Sequence, residues 1–453
     1  MSNKLWGGRF KKKADPLMEQ YTSSIDYDKR LAEFDCLGSI AHAEMLAKCR
    51  IISRKDSSRI VYGLKSILNE INQGKFIYKK STEDVHTAIQ ERLYRKIGRP
   101  AAMLHTARSR NDQVTLDTRM YFKKETEEIA NAVTGLKKSM LGFAKKNINV
   151  IVPGFTHLQN AQPVLLAHQV LAYCQMLDRD IERLTDCRKR IDVMPLGSCA
   201  ISGTGLPVDR KFVAKKLGFS KVSLNSMDAV SDRDYVIEMI FALSIIAMHL
   251  SRISEDLIIL NSPAFGLLDI SDQICTGSSM MPHKKNPDVL ELVRGKCGEV
   301  YGALVSILTV MKGLPLTYNR DMQQDKEPLF RAIDTVRASL DIMALCFKDL
   351  KINKDRAGEL LQDETLYATD IMEYLVKKGV ALKDAHDAVG RMVRYCIDNK
   401  LKISEVPLNE LRTFNPGFDK GVYNLLDAKK SVSLKDSLGG TSPKQVRRQV
   451  LNA

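Results

Sequence analysis

At 453 residues the chain is too long for one ordinary hydrophobic core, and two or three domains are expected. With 44% hydrophobic and 27% charged residues, its composition is that of an ordinary soluble globular protein. The net charge of +15 raises nucleic-acid binding, but the Lys and Arg residues are dispersed and no aromatics interleave with them. A solvated basic surface is therefore expected, with no nucleic-acid partner. Met1 to Lys13 lacks an apolar core of signal-peptide length. The nine cysteines are scattered, odd in number and without a C-x-x-C pair. They read as free thiols of a reducing cytoplasm, which argues against a disulfide framework and a zinc ribbon.

Helical periodicity dominates from the start. Leu31, Phe34, Leu37, Ile40, Ala41 and Met45 fall at three- and four-residue steps. A second helix is expected over Val164 to Arg190, opened by Pro163. Further long segments run over Ala229 to Leu260, Val289 to Lys312 and Pro328 to Leu350. The most apolar stretch, Val236 to Leu250, falls short of the roughly 20 apolar residues of a membrane span and reads as a buried helix. Alternating apolar runs are nearly absent, so a mostly α fold with small β elements at most is expected. Boundaries are expected near Thr106 and Gln362, giving segments 1–106, 107–362 and 363–453.

Gly277-Ser-Ser-Met-Met-Pro-His-Lys-Lys-Asn-Pro-Asp288 is the most informative stretch. It gathers hydroxyls, ammonium groups and a carboxamide into a loop just before a helix. Pro287 suits the first position of that helix and Asp288 its first turn. Unpaired N–H groups and the helix dipole favour an anion there. The loop is suited to hold a small carboxylate or phosphate against a serine hydroxyl.

That string resembles the signature of the fumarase/aspartase superfamily. Lys4–Phe10, His105–Gln113, Gly154–Pro163, Ser226–Asp234, Asn319–Phe330 and Gly439–Pro443 extend the resemblance to the argininosuccinate lyase/delta-crystallin family across essentially the whole chain. The shared signature alone does not separate adenylosuccinate lyase, aspartase or fumarase. Lys4–Phe10 and Asp325–Phe330 point to argininosuccinate. The resemblance implies a three-domain fold with a central bundle of long helices and a homotetramer. It also implies active sites shared between subunits, and reversible elimination of fumarate from argininosuccinate without metal or cofactor.

By resemblance Ser278 is the base that removes the proton, with Ser279 as the alternative. A serine needs an environment that favours the alkoxide, which Lys284 and helix-terminal N–H groups would supply. His157 assists as general acid or base, a task suited to its titration range, and Glu291 pairs with it. Lys284 and Asn286 grip the carboxylate whose charge grows in the transition state. Ser24, His86, Asn111, Thr156, Tyr318, Gln323 and Lys326 match substrate-binding or near-site positions. The chain departs from the usual pattern at three places. Ala107 and Cys199 stand where Gly is common, and His283 replaces a frequent Gln.

Overall fold

The computed structural model describes residues 12–452, and among these helix predominates. The Lys4–Phe10 motif lies outside the described residues. After two short helices, Pro16–Thr22 and Ile25–Asp28, come α1 (Ala32–Lys48), α2 (Arg54–Asn72) and α3 (Val85–Ile97). Ser53 and Asp84 cap α2 and α3, each accepting a backbone N–H of the first turn that would otherwise be unpaired. The 37-residue α4 (Arg110–Lys146) follows. A hairpin of β1 (Ile151–Thr156) and β2 (Gln159–Leu165) leads into α5 (Leu166–Ile191). Then come α6 (Asp234–Asn261), α7 (Asp288–Met311), α8 (Lys326–Asp349) and shorter helices to Asn452. The described strands form three two-stranded sheets, in keeping with the small β content expected.

Two expected helices are corrected. Pro163 does not open a helix: it lies in β2 opposite Pro153, and α5 begins at Leu166. Neither proline has an N–H to donate, so this rung needs no ladder bond from either residue. The helix expected over Ala229 to Leu260 is broken at Asp232-Arg233, where the buried Arg233 turns to bind Asp325. The stretch Val236–Leu250 lies within α6. Taken whole, α6 is long and apolar enough to cross a membrane, but most of its apolar window is buried in the protein.

The chain divides into two compact units. The first comprises 1–131, 181–246 and 297–337, and the second 132–180, 247–296 and 338–453. Each of the five long helices α4 to α8 is thus divided between them. In the first unit, Ala41, Met45 and Leu46 of α1 pack with Leu116 of α4 and with Met194, Leu196, Val213 and Phe219. A Cβ on Gly38 would stand 2.9 Å from the Leu116 side chain, so glycine lets α1 and α4 approach closely. In the second unit a separate core gathers Ile371, Leu375, Met392, Leu411, Phe418 and Val422.

Candidate active site

The first unit holds a cavity of about 460 Å³ lined by Ser24, His86, Asn111, Tyr318, Gln323 and Lys326. Six of the twelve residues singled out from the sequence therefore meet in one place, although Ser24 and Lys326 lie 302 positions apart. Each is positioned by local structure. Ser24 donates its N–H to the Glu83 carbonyl (2.8 Å) and its hydroxyl to Asp28 Oδ2 (2.6 Å). Asp84, the α3 cap, also accepts from Arg110 Nη1 at 2.7 Å, which ties the start of α4 to the start of α3 and sets Asn111 on the cavity wall. Gln323 Nε2 and Arg320 Nη2 both donate to the Thr22 carbonyl, at 3.2 and 2.7 Å, and hold the segment before Ser24.

Lys326 is 5% exposed and donates to Asp325 Oδ1 at 2.7 Å. Asp325 is itself buried and accepts from Arg233 Nε at 2.5 Å. Burial works against the Asp325 carboxylate, but Lys326 and Arg233 outweigh it and hold its pKa below the ordinary range. Burial pushes Asp28 up to about 7, against the opposing pull of His86, Ser24 and Lys326. Burial also raises the Tyr318 phenol. The wall thus mixes cations (Arg110, Arg320, Lys326) with carboxylates (Asp28, Glu83, Asp84). Such a wall suits a ligand that carries both charges.

Sequence reasoning missed Asp28, Glu83, Asp84, His105, Arg110 and Arg320 as lining residues. A usable signal existed. Most sit within four positions of a residue already named, and His105, Arg110 and Arg320 fall inside the quoted motifs.

The remaining six residues belong to the second unit. Thr156 pairs with Gln159, so His157 and Leu158 form a two-residue hairpin turn. Both have positive φ, 55° and 57°. This is the φ pattern of a type I′ turn, which ordinarily takes Asn and Gly. A histidine and a leucine there cost about 1–3 kcal/mol each in backbone strain. The strain presents His157 at an exposed tip. The hairpin is anchored where Leu165 N–H donates to Thr441 Oγ1 at 2.9 Å.

The signature loop is closed at its neck by a bridge between Thr276 and Asn286, with N–H to carbonyl distances of 3.1 and 2.8 Å. Lys285 reaches back to Asp269 (2.9 Å) and Asp272 (2.7 Å), and these contacts raise its pKa. Inside the loop, Ser278 Oγ accepts the backbone N–H groups of Met280 (3.2 Å) and Met281 (3.0 Å). Two fixed donors on one hydroxyl oxygen are suited to stabilise negative charge on it. Lys284 is exposed, and Asn286 is half-buried at the neck. Pro287 precedes the first helical residue, Asp288, and Glu291 lies exposed in the first turn of α7. No hydrogen bond or ion pair joins Glu291 to His157 among the described residues of this chain. Ala107 and Cys199, the two departures from glycine, both adopt left-handed backbone, with φ of 57° and 54°. The preference for glycine at these places thus has a conformational cause.

Residues 8–302 match the family model described as lyase, and residues 365–433 match the argininosuccinate lyase C-terminal model. The argininosuccinate lyase of Trichlorobacter lovleyi is 49% identical over 448 residues, covering 99% of this chain and 98% of the relative. Among solved structures, an EDDS lyase in complex with formate superposes with a TM-score of 0.84 at 25% identity, covering 97% of this chain and 89% of its own. A class II fumarase from Schistosoma mansoni superposes with a TM-score of 0.77 at 18% identity, covering 91% and 93%.

Proposed function

The chain belongs to the argininosuccinate lyase family and catalyses the reversible elimination of argininosuccinate to fumarate and arginine, and on that premise we propose how its residues divide the work. Ser278 removes the proton from the carbon beside a carboxylate. The observation that carries this assignment is the pair of backbone N–H groups on Ser278 Oγ, which stabilise the alkoxide form. Lys284 and Asn286 hold the carboxylate onto which the carbanion charge spreads. His157, on its strained turn, exchanges a proton as general acid or base, with Glu291 tuning it. The C–N bond to the guanidino nitrogen then breaks, leaving fumarate and arginine. Ser24, His86, Asn111, Thr156, Tyr318, Gln323 and Lys326 bind the substrate, whose several charges suit the mixed wall of the cavity.

The site assembles in a homotetramer. The cavity residues, the His157 turn and the Ser278 loop come from different copies of the chain, so a single chain is inactive. The segments 1–106, 107–362 and 363–453 act as its three domains, with the long helices of the middle one forming the tetramer core. The enzyme works in the cytoplasm, free of nucleic acid and membrane. Fumarate release from argininosuccinate, adenylosuccinate, aspartate and malate tests the substrate, and only argininosuccinate should react well. Ser278→Ala should lower kcat by a factor of about 10² or more with little change in substrate affinity. Near-normal kcat in Ser278→Ala together with its loss in Ser279→Ala would move the base to Ser279.

A further inference from the structure

Behind the cavity wall lies a cluster of buried charge of which the chemistry above uses only His86. His86 lines the cavity, and its Nδ1 stands 3.5 Å from Asp35 Oδ2 and 3.5 Å from Asp117 Oδ2. All three side chains are almost wholly buried. Asp35 comes from α1, His86 from the first turn of α3, and Asp117 from α4. The two carboxylates differ in their surroundings. Asp35 Oδ1 accepts from Gln113 Nε2 at 2.5 Å and from Ser39 Oγ at 3.3 Å. Arg108 donates to that same Ser39 at 2.8 Å. Neither oxygen of Asp117 has a hydrogen-bond partner. Gly38 packs against Asp117, where a Cβ would stand 3.4 Å from Oδ1.

Two carboxylates this close, shielded from water, do not both ionise cheaply. The one with donors keeps the charge and the other keeps a proton. We propose that Asp35 as carboxylate and Asp117 as neutral acid hold His86 as a permanent imidazolium, making His86 a fixed positive charge in the cavity wall that recognises a carboxylate of the substrate. Asp35 acts through His86 and is a positioning residue. The substrate half of this inference rests on the cavity being the substrate site.

The remaining charged neighbours agree. Burial works against charge on His86, but contact with Asp35, reinforced by Asp84, outweighs it and pushes the ring up to about 9. Burial likewise works against the Asp35 carboxylate, and His86, Arg108 and Gln113 outweigh it, bringing it down to about 2. Asp117 is pushed well up, by burial first and by Asp35 second. Asp28 faces His86 from the short helix Ile25–Asp28, and burial holds it up near about 7. His105 faces it from the end of the 3-10 helix Arg99–His105, and burial brings that ring down to about 3, so it adds no competing charge. A divalent cation on the same three residues would need both carboxylates ionised and His86 neutral. It would then stand as a second cation beside Arg108.

The test uses the full chain with its eight histidines carbon-labelled, the His86 resonance being assigned by its loss in His86→Asn. In the wild type His86 should stay charged from pH 6.5 to 8 and titrate near 9. Asp35→Asn should lower that titration by about two units or more and raise KM for argininosuccinate about tenfold, with kcat much less affected. Asp117→Asn exchanges one neutral group for another, and should leave the titration within about half a unit. A neutral His86 at pH 7 in the wild type overturns the proposal. So does an equal fall in Asp35→Asn and Asp117→Asn, or a stoichiometric divalent metal in the purified enzyme. Lys326→Met tests the cavity separately. An unchanged KM there overturns the substrate half, while the His86 titration decides the charge assignment independently.

Discussion

Replacing Asp325 by Asn removes the one negative charge between two cations. Arg233 is 1% exposed and Lys326 5%, and both bond to Asp325, at 2.5 and 2.7 Å. Asn keeps the shape and one acceptor oxygen, but leaves Arg233 as an uncompensated buried charge. Breaking a buried pair in this way costs about 3–5 kcal/mol, roughly a 150- to 5,000-fold shift in the folding equilibrium. The retained acceptor places Asp325→Asn at the lower end. The loss is read by urea denaturation of the full chain followed by circular dichroism at a fixed protein concentration. Asp398→Asn is the control. Its partner Arg394 is an exposed i,i+4 neighbour at 2.8 Å, and its loss should cost under about 0.5 kcal/mol. Asp325→Asn should also raise KM, because Lys326 loses its anchor on the cavity wall. A loss below about 1 kcal/mol, or one equal to that of the control, would refute the reasoning that this pair is desolvated and essential.

Acid should destabilise the fold through His42. Burial, with Arg108 nearby, brings its pKa down to about 3, although its Nε2 contacts the Thr106 carbonyl at 2.9 Å. The ring is neutral when folded and charged when unfolded below its ordinary pKa. Its contribution is therefore lost as pH falls from about 6.5 toward 3, and amounts to about 2 kcal/mol by pH 5. His42→Asn should flatten the dependence of the urea midpoint between pH 7 and 5 relative to wild type, and an unaltered slope would rule His42 out as its source. Activity should survive exhaustive chelation, because the charge-stabilising roles fall to Lys284, Asn286 and the backbone N–H groups on Ser278. Loss with EDTA, restored by a divalent metal, would contradict this.

The long helices were legible in the sequence because a buried face imposes its period on apolar residues over many turns. The signature loop and its helix were legible because proline and asparagine fix where a helix starts. The β1–β2 hairpin was not. Gln159 to Leu165 has no apolar alternation, and Pro163 carries the mark of a helix start. Its turn was hidden too, since His157 and Leu158 are residues a type I′ turn normally refuses. Isolated acids on helices, such as Asp35 and Asp117, carry no distinguishing signal in the sequence, and only packing shows that α1 and α4 bury them. The six cavity residues were legible one by one. Their meeting in space was not, because it depends on contacts between residues hundreds of positions apart.

The central claim, a site assembled from several copies of the chain, is tested most directly by mixing two inactive variants. His157→Asn and Ser278→Ala should each be nearly inactive when refolded alone. After refolding together, some sites would receive both substitutions and others neither. Fumarate release from argininosuccinate should then reappear, with native mass spectrometry showing mixed tetramers. Mixed tetramers without recovered activity would place His157 and Ser278 in the same chain's site and contradict the account.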